Sequence, residues 1–229
     1  MRIFTDEHEV RVAKQYGLYW SRSLHSEYPE IDGLYVYQPS YPIEPFLDIS
    51  IKLEQLNNHI FLQLCATKQK HELAKEDKRS PHYLENNGNL YSEIVDHNIE
   101  SWDYNLNVLS LVNPIILIST FLEWSLKRLL HDCCDGVKYK SKKGIANIDG
   151  MLALIIKSLS LDIQVPKDFQ EALNKYRLVR NKFAHGEWEK ISSLYDLEVR
   201  DYLLHCSRLL KTLEAEILRK KYTYTGTTA

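Results

Sequence analysis

Eight glycines and seven prolines are spread over 229 residues, and that scarcity is the strongest constraint on what the chain can fold into. Tight strand reversals lean on these residues: glycine reaches left-handed backbone angles freely, and proline pre-sets a turn dihedral. A chain with so few of them is poorly equipped for the frequent turns of an all-β protein. Apolar residues make up 44% and charged residues 26%, which describes an ordinary globular protein and excludes a disordered one. The length fits one large helical domain, or a domain of about 130 residues with an extension.

Helical spacing recurs along the chain. From Asp6 to about Glu27, Val10, Ala13, Tyr16 or Gly17, and Trp20 can line one face. Residues 30–45 hold three prolines and a glycine and read as an irregular connector. The helical pattern resumes from Phe46 to about Lys78, with Leu47, Ile51, Leu53 or Glu54, Ile60 or Phe61, and Leu64 as inward positions. SPHYLENNGN at residues 80–89 breaks it, and a helix from Leu90 to about Leu109 leads into a second unit. Pro114 is expected to kink or restart that helix, since it cannot donate to the preceding turn.

Four helical patterns follow. Residues 114–134 are apolar on nearly all sides, and residues 149–159 form a short pattern with Asp149 as N-cap. The third runs from Lys167 to about His185, where Gly186 supplies the left-handed C-cap. The fourth runs from about Ser192 to Lys220, capped by Ser192 or Ser193, with Leu194, Leu197, Tyr202, Leu209, Leu213 and Ile217 on one stripe. No strand is required. The expected fold is all-α, an up-and-down helical bundle over residues 90–229 with additional N-terminal helices over residues 1–89.

Several functional classes drop out. The first residues carry acids where a secretory signal needs a basic stretch and then an apolar one, so no signal is expected. The longest apolar run, residues 111–122, is short for a bilayer span and holds Asn113 and Pro114. A cytoplasmic protein without a membrane partner is expected. Cys65, Cys133, Cys134 and Cys206 contain no CxxC spacing and read as reduced, partly buried thiols, with neither metal nor cofactor implied. The net charge of −2 means that any RNA contact must be local. Lys138, Lys140, Lys142 and Lys143, in GVKYKSKKG, form one such patch; they read as phosphate contacts or as a solvated loop.

The chemistry concentrates in KYRLVRNKFAHGEWEKI, residues 175–191. His185 has the side-chain type that serves as both acid and base near neutrality. Arg180 offers a permanent planar charge that can grip phosphate oxygens in pairs. RNA carries its own nucleophile, the 2′-OH, so a base and a cation beside the scissile phosphate suffice without a metal. Other catalytic patterns, such as HExxH, a P-loop or GxSxG, are absent.

The string Arg-Asn-x-x-Ala-His-Gly, Arg180 to Gly186, resembles the HEPN superfamily, in which an arginine precedes a histidine by a short gap where the third bundle helix leads into the fourth. The resemblance covers about half the chain and leaves the first hundred residues outside. It implies a metal-independent endoribonuclease with Arg180, His185 and Asn181 as catalytic residues, supported by Arg177 and Glu123. Lys182 joins the four loop lysines as an RNA contact. It also implies a homodimer whose two motifs face one cleft, and a toxin or defence effector with an antitoxin or defence-system partner. The alternative is a non-catalytic HEPN module for dimerisation or ligand binding.

Helical phase limits the site. Arg180 and His185 are roughly 140° apart on a continuous helix, whereas Asn181 and His185 share a face that Arg177 extends. A productive site therefore needs a helix that unwinds near Ala184, or a second subunit. Each residue also has a structural reading: His185 bonding carbonyls at a helix end, Arg180 pairing with Glu187 or Glu189, and Trp188 anchoring the turn. Trp188 could instead stack on a base.

Overall fold

A computed structural model describes residues 7–18, 37–141, 147–165, 167–191 and 199–222. Of these, 81% are helical and none lies in a strand, so the all-α class holds. The elements in order are α1 (Glu7–Tyr16), α2 (Glu44–Asp77), α3 (Pro81–Glu85), α4 (Leu90–Tyr104), a π-helical turn (Asn105–Leu109), α5 (Ser110–Cys133), α6 (Asn147–Leu159), α7 (Lys167–Ala184), a 3₁₀ turn (Trp188–Lys190) and α8 (Val199–Tyr222).

The described residues fall into two compact units. One takes α1, residues 57–115 and the segment from Tyr176 to Arg200; the other takes residues 37–56, 116–175 and 201–222. Chain from both sides of position 90 contributes to each.

The first unit is held by a core that includes Val12, Ala13, Ile60, Phe61, Leu64, Val112, Ile115, Tyr176 and Val179, all buried. α1 stops at Tyr16, earlier than its periodicity suggests, because Gly17 turns to φ +62 while donating its N–H to the Ala13 carbonyl at 2.8 Å. Residues 19–36, including Trp20, lie outside the described residues. The break at residues 80–89 holds α3, one helical turn with Pro81 at its start and the Ser80 hydroxyl accepting the Tyr83 N–H. Asn89 then caps α4 by accepting from the N–H groups of Tyr91 and Ser92. Capping of this kind is worth about 1 kcal/mol per helix. Buried His71 (α2) bonds Asp103 (α4) at 2.5 Å, tying those helices together.

Pro114 does not restart the helix. It lies inside α5, and α4, the π turn and α5 run on as one helix over Leu90–Cys133. Proline removes one hydrogen bond and crowds the carbonyl four residues back, at Ser110. That position is where the π turn ends, with the Ser110 N–H bonded to the Asn105 carbonyl. Over 44 residues, with a window of mean hydropathy 1.6, this helix is long and apolar enough to cross a membrane; 44% of that window is buried inside the protein.

The second unit packs Phe46, Ile49, Leu53, Leu122, Leu126, Leu129, Met151, Ile155, Leu203, Leu210 and Leu213, all buried. Here the expected inward face of α2 is corrected. Leu47 and Ile51 are 36% and 51% exposed, while Phe46 and Ile49 are covered. The near-alternating run FLDISIKL supports two helical stripes, and the one through residues 46, 49 and 53 wins. Asp149 is not a cap, since α6 begins two residues earlier at Asn147. α8 buries Tyr202, Leu209, Leu213 and Ile217, as its stripe predicts; Ser192, Ser193, Leu194 and Leu197 lie outside the described residues. All four cysteines are buried thiols outside any disulfide, and burial pushes the Cys206 thiol far above its usual ionisation range.

Glu214 on α8 organises the segment ahead of α2. Its carboxylate accepts from the Tyr37 hydroxyl at 2.6 Å and from the Ser40 and Tyr41 N–H groups at 2.7 and 3.3 Å. A buried carboxylate is tolerated only with such partners.

Candidate functional site at the end of helix α7

Tyr176, Val179 and Phe183 form the inward stripe of the last turns of α7, with the first two fully covered. That spacing leaves Arg177, Asn181 and His185 on an exposed stripe, each four residues from the next. Arg180 is half-buried and makes polar contacts of its own.

The helix closes with paired backbone bonds. The Gly186 N–H reaches the Phe183 carbonyl at 3.1 Å and the Glu187 N–H reaches the Lys182 carbonyl at 2.9 Å. Gly186 makes this possible with φ +74, a left-handed angle that side chains resist. A Cβ at Gly186 would meet nothing within 4 Å, so Gly186→Ala should cost only the backbone term. We expect a loss of about 1–2 kcal/mol in chemical denaturation, with Gly186→Asn losing less.

This closure comes one residue too late to realign the motif. His185 still donates its backbone N–H to the Asn181 carbonyl at 3.0 Å, so helical phase persists through the histidine. The roughly 140° between Arg180 and His185 is therefore not relieved by unwinding at Ala184.

Trp188 locks the turn. Its ring lies on Phe183 with centroids 5.0 Å apart and planes 8° from parallel, and its indole N–H donates to the Phe183 carbonyl at 2.9 Å. Lys182 donates from Nζ to the Lys190 carbonyl at 3.2 Å, and Lys190 pairs with Glu187 at 3.3 Å. Glu187 is thus engaged by Lys190.

The remaining predicted residues lie elsewhere in the chain. Glu123, half-buried on α5, and the exposed Lys138 and Lys140 belong to the second unit, whereas Arg177 to His185 belong to the first. Tyr139, between the two lysines, packs so closely on α6 that a Cβ at Gly150 would fall 2.2 Å from its hydroxyl; it is not a free ring. Lys142 and Lys143 lie outside the described residues.

No protein-family model, curated protein or solved structure matches the chain.

Two cavities went unseen in the sequence. In the second unit, about 440 Å³ is bounded by Glu44, Phe46, Arg128, Asp132, Cys133 and Ile217. Arg128 there meets Glu44 and Asp48 at 3.2 Å and Asp132 at 2.7 Å. In the first unit, about 240 Å³ is bounded by residues including Tyr16, Leu64, Asn107, Ser110 and Arg200; burial raises the Tyr16 phenol above its usual range. The π turn contributes Leu106 and Asn107 to that wall. Neither lining contains a residue of the motif.

Proposed function

We propose that the chain is a metal-independent endoribonuclease of the HEPN type, working as a homodimer in which His185 of each copy meets Arg180 of the other. The observation that carries this reading is the end of α7, where an exposed imidazole follows Arg177, Arg180 and Lys182 within two turns. An open helix C-terminus would repel phosphate. Here the carbonyls of Asn181, Lys182 and Phe183 are already bonded, which leaves the local field to the cations. The two-copy arrangement is supported by phase, since helical geometry keeps Arg180 and His185 on different faces of one α7.

The reaction balances without an added co-reactant. His185 takes the 2′-OH proton as the 2′-oxygen bonds to phosphorus, the bond from phosphorus to the 5′-oxygen breaks, and the imidazolium so formed returns the proton to that leaving oxygen. Arg180 neutralises the charge that builds on the non-bridging oxygens. Asn181, on the histidine's stripe, orients the imidazole, and Arg177 adds charge along the strand. The biological role that fits is a toxin or defence effector acting on cytoplasmic RNA under a cognate partner's control.

The products test the chemistry. Mass spectrometry of a cleaved oligoribonucleotide should find 2′,3′-cyclic phosphate and 5′-hydroxyl ends. Ends carrying 3′-hydroxyl and 5′-phosphate would overturn the mechanism, because they require attack by water or hydroxide instead of the 2′-oxygen.

A further inference from the structure

Trp188 is more than the anchor of a turn. One face of its indole is spent on Phe183, and its N–H is spent on the Phe183 carbonyl. The side chain nonetheless remains 43% exposed. A turn anchor has no need of that exposure, and a large aromatic held rigid with an open flank is what nucleobase stacking uses. Its surroundings carry the complementary charge. Residues 175–191 hold five Lys or Arg against two Glu, in a protein of net charge −2, and one of those acids, Glu187, is neutralised by Lys190. Trp188 also stands three residues after His185, on the turn that closes the same helix.

We propose that Trp188 is a stacking platform for an unpaired base beside the scissile phosphate, so that the substrate is single-stranded RNA; this rests on the nuclease reading of the same helix end. Phe183 backs the platform, and the indole N–H fixes its orientation before RNA arrives. Duplex RNA, whose bases are stacked on one another, is excluded by the same device.

Binding separates this from a purely structural role. The probes are a 2′-O-methyl uridine octamer, which cannot cleave itself, and an abasic octamer with the same phosphate charge, both followed by fluorescence anisotropy. The intact protein should bind the uridine octamer more tightly than the abasic one. Trp188→Ala should weaken the uridine octamer by about 5- to 100-fold and leave the abasic octamer unchanged. Trp188→Phe, which keeps a ring but loses the N–H bond, should retain most of the affinity. Equal loss for both probes, loss for neither, a Phe variant as weak as the Ala variant, or an intact protein that binds neither octamer would overturn the platform. Cleavage of unmodified RNA is scored separately. Base-dependent binding without cleavage would sink the nuclease reading and keep the platform, and cleavage without base-dependent binding would do the reverse.

Discussion

Replacing His185 with alanine is expected to slow RNA cleavage by about 10²- to 10⁴-fold, the range set by losing a positioned acid–base group. The fold should hardly notice. The imidazole is exposed, and this helix end is closed by backbone bonds and by Trp188. Stability should therefore stay within about 0.5 kcal/mol of the parent, which makes a rate loss interpretable as chemistry. Arg180 is best tested as Arg180→Lys, because the residue is half-buried and truncation would disturb packing. Lysine keeps the charge and loses the planar pair of donors, so a loss of about 10²-fold is expected, comparable to removing one transition-state donor. Asn181→Ala should fall between these variants and the parent. Single-turnover rates on a labelled oligoribonucleotide, beside thermal melts, distinguish rate loss from unfolding.

The largest stability effect should come from Glu214, 2% exposed and far from the motif in sequence. Glu214→Leu would strand the buried Tyr37 hydroxyl and release the Ser40 N–H, which now donate to the carboxylate. Tyr37 is fully buried, so a loss of about 1–3 kcal/mol is expected from its stranded hydroxyl, while the N–H of exposed Ser40 can turn to water. Adding Tyr37→Phe removes the stranded group and should recover about 1 kcal/mol of it. The pair also predicts alkaline sensitivity. Burial, and then Glu214, hold the Tyr37 phenol well above its usual value near 10. Below pH 10 both folded and unfolded chains keep that proton, and its contribution is constant. Above pH 10 the unfolded chain sheds it and the folded chain does not, so stability falls by about 1.4 kcal/mol per pH unit. Tyr37→Phe should lack that part of the slope in denaturant titrations between pH 9 and 11.

What could be read from sequence was what depends on near neighbours. The all-α class follows from scarce turn residues and recurring helical spacing, the start of α4 from the break at residues 80–89, and the end of α7 from Gly186. The inward stripe of α8 is legible because its apolar residues fit one face only. α2 was misread at its start because FLDISIKL fits two faces, and only the partners decide between them. Pro114 does not restart its helix, and the π turn just upstream of it has no local signal in the sequence. The Glu214–Tyr37 bond joins residues 177 apart, and both cavities gather residues from several separate stretches. Such arrangements exist only after folding. Of the candidate site, the residues were legible and their mutual placement was not, since His185 stays in helical phase with Asn181.

The central claim is that this helix end cleaves RNA without a metal. Purified protein should degrade a labelled single-stranded oligoribonucleotide in excess EDTA, and His185→Ala, prepared and assayed identically, should not do so measurably over the same interval. No cleavage by the parent, or equal cleavage by the variant, would contradict it.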